Sequence, residues 1–302
     1  MLDCLLRHGI QAPFSCRSGL CHTCIMRVLS GEPTLQSQKG LKAGQIDKNY
    51  FLPCSCVPTG DLEVAFDDDA LFKVDTGVIS VDALTSEVTR LRLQVPTDYR
   101  YRAGQYLTLF NPAGDGRSYS LASLPEVDDC LELHIRRIAN GKLSSWVADQ
   151  VRAGDRVVIG EALGDCFYQF TNKQQPLLLI GTGTGLAPLY GVLRDAIHQA
   201  HQGPIHLYHG SATHHGLYLM DELRGLVESA GIHYVPSVSQ EASMQDVRHG
   251  RANDLALQDH PELSGWRVYL CGNDAMVKAA QRAAFLAGAS FQTIHTDAFL
   301  HS

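Results

Sequence analysis

The hydrophobic and polar positions of the chain follow three successive patterns. Residues 1–66 are rich in cysteine and end in an alternating run, DLEVAF. Residues 73–171 alternate apolar and polar positions in short runs that proline, glycine and aspartate clusters separate, which is typical of an antiparallel barrel. The barrel runs are VDTGVISVD, VTRLRLQV, GQYLTLFN, LELHIRRI and RVVIG.

From Pro176 onward, short apolar strands alternate with segments of helical periodicity. The strand runs are PLLLIG, PIHLYHG, IHYVPSVS and RVYLCG, and the helical runs are APLYGVLRDAIHQAHQ, LMDELRGLVESAG and AMVKAAQRAAFLAGA. Such alternation predicts an α/β domain with a doubly wound parallel sheet. We therefore expect a multidomain chain with a cysteine-rich module at 1–70, an antiparallel β-barrel at 72–171 and an α/β domain at 172–302.

Composition and charge exclude several classes of function. The chain has 302 residues, 45% of them hydrophobic and 19% charged, which is ordinary for a globular protein with real cores. A net charge of -7 leaves no basic stripe for nucleic acid. No apolar run approaches the roughly 18 residues that span a bilayer. The first residues lack the basic and apolar regions of a signal peptide, so we expect a cytoplasmic protein without a membrane span.

The cysteines indicate a metal cluster. Six of the nine cysteines lie in the first 56 residues, and three of them follow the spacing Cys16-x4-Cys21-x2-Cys24. In a reducing compartment such clustering favours metal binding over disulfides. Zinc sites use paired C-x2-C hooks, and Cys54-Ser-Cys56 lies too far away with the wrong gap. The spacing is instead that of a plant-type [2Fe–2S] site, with Cys54 or Cys56 as the fourth ligand and zinc or disulfide readings as alternatives.

At this point the sequence resembles a known family. MLDCLLRHGIQAPFSCRSGLCHTC is similar to the first helix and cluster loop of plant-type ferredoxins, and YFLPCSCVPTGDLEV to the segment that carries their fourth ligand. The family spacing of 29 residues after the third cysteine selects Cys54 and leaves Cys56 where alanine is common. The resemblance implies an α+β ferredoxin-like (β-grasp) module that lacks its N-terminal hairpin. The implied metal ligands are Cys16, Cys21, Cys24 and Cys54.

The barrel carries a second resemblance, at RSYSLAS, residues 117–123. This run resembles the FAD-binding signature of the ferredoxin–NADP⁺ reductase superfamily, although an exposed hairpin with an incidental arginine would look the same. The resemblance implies that Arg117 binds a diphosphate oxygen, because a guanidinium is a fixed fork of donors. It also implies that Tyr119 stacks on the isoalloxazine ring and that the Ser120 hydroxyl lies near flavin N5.

Two further segments support the flavin prediction. ANGKLSSWV, residues 139–147, has the G-x-x-S pattern with which the family places a helix N-terminus under the diphosphate. It adds Gly141, Lys142 and Ser144 to the predicted FAD site. HIRR, residues 134–137, lies where the family carries cofactor-lining residues, so Arg136 is a second candidate charge; a solvated strand face is the alternative.

LLLIGTGTGLAPLYGVL places glycines between a buried strand and a helix, where backbone amides meet a pyrophosphate. Leu186 stands where the Rossmann fingerprint needs its third glycine, so the pattern alone is weak. Followed by Ala187-Pro188, it resembles the nucleotide loop of the reductase superfamily. The predicted nicotinamide-binding residues in this loop are Gly181, Thr182, Gly183, Thr184 and Gly185.

Two more segments complete the predicted hydride-transfer site. VYLCGNDAMV resembles the element whose cysteine and glycine, here Cys271 and Gly272, face the nicotinamide. The tail HTDAFLHS resembles the family's acid-x-aromatic terminus, with Asp in place of Glu and three extra residues after Phe299. The resemblance implies that Phe299 covers the flavin and that Asp297 joins Ser120 and Cys271. The predicted catalytic residues are Ser120, Cys271, Asp297 and Phe299.

The coenzyme prediction rests on the loop after PIHLYHG. Ala212 stands where relatives often place an arginine, and the next arginine along the chain is Arg224. A 2′-phosphate requires a guanidinium or ammonium partner. His214 and His215 could contact a phosphate, although solvated loop histidines are the commoner case. The sequence therefore favours NADH over NADPH.

The three modules together predict an electron-transfer chain from NADH through FAD to a [2Fe–2S] cluster. A flavin accepts a hydride and releases electrons singly, and the protein orients the groups. The order of modules resembles NAD(P)H-dependent reductase components of bacterial multicomponent oxygenases and the reductase that serves deoxysugar dehydratases. The implied partner is a Rieske or di-iron oxygenase component or a ferredoxin. The alternatives are a stand-alone flavin or ferric reductase and a redox sensor without turnover.

Overall fold

The described residues of this computed structural model, 1–14, 16–19, 22, 24–66 and 73–299, fall into two units. One contains Met1–Lys73 with Leu163–Asp165, and the other contains Val74–Ala162 with Cys166–Ser302. Within the described residues, no helix is long and apolar enough to cross a membrane.

The first unit is a small α+β module. Its elements are α1 (Leu2–Arg7), β1 (Met26–Ser30), α2 (Leu35–Gln38), α3 (Ala43–Asp47), β2 (Tyr50–Phe51) and β3 (Glu63–Ala65), with a 3₁₀ helix at Pro53–Ser55. The strands form an antiparallel sheet in the order β2-β1-β3. The first helix, α1, ends at Arg7, and Gly9 just beyond it adopts a φ of 78°.

The barrel is built from six antiparallel strands. They are β4 (Val74–Ala83), β5 (Val88–Gln94), β6 (Tyr106–Phe110), β7 (Gly116–Ser120), β8 (Cys130–Arg136) and β9 (Arg156–Ile159), and α4 (Lys142–Asp149) follows β8. The sheet order is β7-β6-β9-β4-β5-β8. An antiparallel bridge between Leu121 and Leu133 brings its two edges together. The predicted barrel is confirmed, and the RSYS run forms most of β7.

The α/β domain is a six-stranded parallel sheet. Its elements are β10 (Leu177–Thr182), α5 (Leu186–His198), β11 (Ile205–Ser211), α6 (Met220–Ala230), β12 (His233–Val238), β13 (Arg248–His249), α7 (Ala252–Asp259), β14 (Arg267–Asn273), α8 (Asp274–Leu286) and β15 (Ile294–Phe299). Alternate residues of β10 enter two separate cores, Leu177 and Leu179 in one and Leu178 and Ile180 in the other. Both faces of the sheet are therefore covered, as the near-continuous apolar strands predict.

The strand order places a ligand crevice at one point of this sheet. The order is β13-β12-β11-β10-β14-β15, so the connections run one way from β10 and then change side at β14. Ligands of open α/β sheets bind at the carboxyl ends of strands beside such a switch point. The glycine loop after β10 and the Cys-Gly pair near the end of β14 both lie at this edge.

Candidate cofactor sites

The loop that carries the first predicted cluster ligands has an unusual backbone. Arg17, Gly19 and His22 adopt φ values of 55°, 77° and 56°. The backbone N–H of Ser18 donates to the Cys16 sulfur at 3.4 Å. Residues in the left-handed region turn successive N–H groups into concavities that hold anions and iron–sulfur clusters. The backbone here fits the predicted [2Fe–2S] group.

The structure describes Cys24 and both candidates for the fourth cluster ligand, Cys54 and Cys56. The thiols of Cys24 and Cys54 lie within hydrogen-bonding reach of each other, and burial raises the pKa of Cys24 to about 11. Cys56 is 2% exposed and packs with Met26 and Phe51 in a separate core. This placement favours Cys54 over Cys56 as the fourth ligand. The predicted ligand Cys21 lies outside the described residues.

A cavity of about 1360 Å³ opens between the barrel and the α/β sheet within the second unit. Eleven of the predicted site residues line this cavity: Arg117, Tyr119, Ser120, Arg136, Gly141, Lys142, Ser144, Thr182, Gly183, Thr184 and Phe299. Gly181, Gly185, Cys271, Gly272 and Asp297 do not line it. The volume exceeds the range of about 300–1,000 Å³ that is usual for small-molecule pockets, which suits a flavin together with a dinucleotide.

The barrel side of the cavity presents cations at the start of α4. Lys142 lies 3.2 Å from Asp115, and Arg117 is exposed on β7. The Ser144 hydroxyl accepts a hydrogen bond from the N–H of Ile138 at 3.1 Å, which ties the preceding loop to the helix. A Cβ atom at Gly141 would lie 2.6 Å from that hydroxyl oxygen and 3.0 Å from the backbone oxygen of Ile138, so a larger residue would displace the Ser144 hydroxyl. Free helix N–H groups and two cations fit a diphosphate.

Tyr119 and Arg136 complete the barrel side. Burial raises the pKa of Tyr119 to about 12, so its ring stays neutral over the physiological range. Arg136 lies 3.5 Å from Glu87, and both side chains are more than half exposed. Its charge is thus partly balanced at the edge of the cavity.

The glycines of the α/β domain serve close packing as well as the cavity. Thr182, Gly183 and Thr184 face the cavity, and the backbone forms a 3₁₀ turn over Gly183–Gly185. A Cβ atom at Gly185 would overlap the carbonyl oxygen of Cys271. Gly272, at a φ of 124°, would place a Cβ atom 2.5 Å from the Thr182 hydroxyl. These contacts bring the ends of β10 and β14 together at the switch point.

Three of the four predicted catalytic residues are close neighbours. The Ser120 hydroxyl donates to Asp297 Oδ2 at 2.6 Å. Burial raises the pKa of Asp297 to about 6, and the hydrogen bond from Ser120 opposes that shift. Cys271 is paired in register with Asp297, and its buried thiol lies 3.3 Å from the Cys166 thiol. Phe299, the fourth, lines the cavity at the end of β15.

His134 and Arg251 are among the cavity-lining residues that the sequence reasoning did not select. His134, in the run from which only Arg136 was selected, is 3% exposed and forms part of the wall. Arg251 immediately precedes α7 and brings a guanidinium to the same cavity as Ala212. Arg224, the next arginine along the chain after Ala212, pairs with Asp221 and does not line the cavity. No helix is predicted from the sequence over 252–259, so the sequence gave no reason to place Arg251 at the carboxyl edge of the sheet.

Comparison with known proteins finds a matching family for each of the three parts of the chain. Residues 1–59 match the family described as 2Fe-2S iron-sulfur cluster binding domain. Residues 75–168 match the oxidoreductase FAD-binding domain, and residues 179–282 match the oxidoreductase NAD-binding domain. The chain thus has binding domains for a [2Fe–2S] cluster, FAD and NAD(P).

Several relatives align with this chain over nearly its whole length. The reductase component of the naphthalene 1,2-dioxygenase system of Pseudomonas putida is 32% identical, covering 99% of this chain and 93% of that protein. The reductase subunit of an aromatic O-demethylase from an Amycolatopsis species is 34% identical, with the same coverage. The crystal structure of Amycolatopsis cytochrome P450 reductase GcoB superposes with a TM-score of 0.72 at 34% identity, covering 99% of this chain and 93% of that one. The chain therefore belongs to the family of ferredoxin–NAD(P)⁺ reductase components of oxygenase systems, which are NAD(P)H-dependent flavoprotein oxidoreductases.

Proposed function

We propose that this reductase takes electrons from NADH and delivers them through FAD and a [2Fe–2S] cluster to an oxygenase component or a ferredoxin. The observation that carries the proposal is the single cavity in which the flavin strand β7 and the glycine loop after β10 face each other. The Ser120–Asp297 hydrogen bond joins the same two domains. Bound FAD supplies the exchange between a two-electron donor and a one-electron acceptor.

The barrel residues have binding and orienting roles in this proposal. Arg117, Lys142 and the N-terminal amides of α4 hold the diphosphate, because all three are positive and line one side of the cavity. The neutral ring of Tyr119 offers a stacking surface for the isoalloxazine. Phe299, at the end of β15, offers a second aromatic face and excludes water until the nicotinamide arrives.

The Ser120–Asp297 pair holds a proton at the predicted hydride-transfer point. While Asp297 is ionised, the Ser120 proton is committed to Oδ2 at 2.6 Å. Once Asp297 takes up a proton, near its raised pKa of about 6, the carboxyl group becomes the donor and the hydroxyl proton is released for another acceptor. The pair therefore stores one proton at two adjoining oxygens where the barrel meets the α/β domain.

The charges around the loop after β11 support NADH as the donor. Ala212 brings no charge to the cavity wall. The Nδ1 and the backbone N–H of His214 both bond Glu241 Oε2, at 2.5 and 2.6 Å, so these two donors are committed to a carboxylate. The hydrogen bonds from His214 lower the pKa of Glu241 and keep it anionic. A carboxylate beside the loop repels a 2′-phosphate, which only NADPH carries.

The acceptor is proposed from the relatives. Their names describe reductases of dioxygenase, demethylase and cytochrome P450 systems. For this chain we propose an acceptor of the same kind, which draws electrons one at a time from the cluster held by Cys16, Cys21, Cys24 and Cys54. A stand-alone flavin reductase would not need those four thiols.

Steady-state assays test the proposal on the purified holoprotein. We expect rapid NADH oxidation with ferricyanide and with cytochrome c, and slower oxidation with NADPH. Cytochrome c reduction should depend on an intact cluster, whereas ferricyanide reduction should not. A holoprotein that oxidises neither NADH nor NADPH with any acceptor would refute the proposal in favour of a sensor. Fast reduction of free flavin without any cluster dependence would support the stand-alone reductase.

A further inference from the structure

A buried hydrogen-bonded relay crosses from the barrel to the α/β domain beside the cavity. His134 Nε2 lies 2.9 Å from Glu132 Oε1, and His134 Nδ1 lies 3.1 Å from the hydroxyl of Tyr218. Glu132 and His134 are on β8, whereas Tyr218 lies between β11 and α6. The rings of His134 and Tyr218 meet edge to face with centroids 5.2 Å apart. The contact therefore combines packing with a directed bond.

The charges fix the direction of every bond in the relay. Burial raises the pKa of Glu132, but hydrogen bonds from His134 and Arg92 outweigh it and leave the pKa at about 2. Glu132 is therefore a carboxylate and can only accept. Burial lowers the pKa of His134, so the ring is neutral and carries its one proton on Nε2. Nδ1 must then accept, and the Tyr218 hydroxyl, whose pKa burial raises, donates to it.

Tyr218 anchors the segment that forms the nucleotide side of the cavity. Ser211, Ala212, Thr213 and Gly216 line the cavity just before it in the chain. Leu219, directly after it, begins α6 from a left-handed conformation with a φ of 54°. A non-glycine residue keeps such a conformation only where its surroundings hold it in place. The 211–219 segment is thus fixed at one end by α6 and on the barrel side by the bond to His134.

We propose that His134 is a positioning residue: by accepting the Tyr218 hydrogen bond, it holds the 211–219 segment against the barrel and so sets where the nicotinamide coenzyme lies relative to FAD. This inference rests on the proposed function. His134 acts through Tyr218 and the segment that carries it. Loss of this hydrogen bond should misplace the coenzyme but should leave both cofactor sites in place.

The test compares Tyr218→Phe with the wild-type holoprotein. The variant keeps the aromatic ring and loses only the hydroxyl. Loss of one buried bond should slow flavin reduction by saturating NADH about tenfold. FAD content, iron content and the rate at which the reduced protein passes electrons to ferricyanide should stay unchanged. As a readout independent of turnover, saturating NAD⁺ should give a smaller flavin difference spectrum in the variant than in the wild type.

Three further variants separate positioning from general destabilisation. Tyr234→Phe removes a buried hydroxyl that bonds His209 at 3.3 Å inside the α/β domain. Asp128→Asn weakens a second contact between barrel and α/β domain, the 2.6 and 2.8 Å bonds to Arg194, which does not line the cavity. Both should reduce flavin at the wild-type rate. His134→Gln retains one donor and one acceptor and should stay within about threefold of wild type.

The outcomes are distinct. The inference is supported if flavin reduction is slow in Tyr218→Phe alone and if His134→Gln reduces its flavin within about threefold of the wild-type rate. A wild-type rate in Tyr218→Phe, or equal slowing in the Tyr234 and Asp128 variants, overturns it. Failure of the wild-type protein itself to oxidise NADH would instead refute the proposed function.

Discussion

Ser120 and Asp297 are 177 positions apart in the sequence, yet the serine hydroxyl donates to the aspartate at 2.6 Å. Ser120 ends strand β7 of the barrel, and Asp297 lies on β15, the edge strand of the parallel sheet. The hydrogen bond therefore closes the two domains on each other at the predicted hydride-transfer point. Burial of the carboxyl group at this contact raises the pKa of Asp297 to about 6.

Asp297→Asn should make stability less dependent on pH. The folded-state pKa of about 6 lies above the 3.8 of an unperturbed aspartate, so folding opposes ionisation of this carboxyl. The free energy of unfolding of the wild type should therefore fall as the pH rises from about 4 to 6, by an amount on the order of 2 kcal/mol. The asparagine variant cannot ionise at this position and should not lose that stability. Its thermal unfolding midpoint should therefore rise relative to that of the wild type as the pH increases from about 4 to 6.

Asp259→Asn is the matched control with the opposite sign. A hydrogen bond from Arg248 lowers the pKa of Asp259, so its ionised form is stabilised by folding. This variant should lose more stability at pH 7 than at pH 3. Thermal midpoints measured on the FAD-loaded protein across both ranges check the pair. An Asp297→Asn advantage that is the same at every pH would contradict the raised pKa.

Cys54→Ala should abolish cluster binding, whereas Cys56→Ala should retain it. Cys54 lies beside Cys24, while Cys56 is buried with Met26 and Phe51 in another core. Removing Cys56 should cost about 1 kcal/mol in packing and leave the ligands in place. Iron and acid-labile sulfide content of the purified variants measures the difference. Iron retained in Cys54→Ala and lost in Cys56→Ala would assign the fourth ligand to Cys56.

The modules were predictable from sequence because each rests on local patterns. The alternation in GQYLTLFN indicates a strand that is buried on one face, and the apolar run PLLLIG indicates a strand that is buried on both faces. The Ser120–Asp297 pairing could be named only through family resemblance, since local periodicity says nothing about contacts across 177 positions. Arg251 was missed because the two-residue strand β13 before it has no readable period. The end of α1 at Arg7 likewise depends on a local feature, the left-handed backbone of Gly9 two residues later.

Gly185→Ala should destabilise the nucleotide loop. A Cβ atom there would overlap the Cys271 carbonyl group, which is backbone and has no rotamer by which to yield. We expect a loss of about 2 kcal/mol or more and a marked fall in NADH turnover.

The helical glycine Gly225 provides the control for this substitution. A Cβ atom at Gly225, in α6, would meet no atom within 4 Å. Gly225→Ala should therefore stabilise the protein by about 0.5–1 kcal/mol, as alanine does in a helix interior. Thermal unfolding and NADH turnover of both variants provide the check. A Gly185→Ala protein with wild-type stability and turnover would show that β10 and β14 do not need this close approach.

Ala212→Arg should increase the use of NADPH. Ala212 lines the cavity in the loop after β11, and a guanidinium there would provide a bidentate partner for a 2′-phosphate. We expect kcat/KM for NADPH to rise about tenfold relative to that for NADH, which corresponds to about 1.4 kcal/mol. Arg224→Ala, outside the cavity, should leave the ratio unchanged. Arg251→Ala is the decisive companion, because Arg251 already brings a charge to this cavity. If the wild type prefers NADPH and Arg251→Ala removes that preference, the 2′-phosphate is bound by Arg251 and the NADH assignment is wrong.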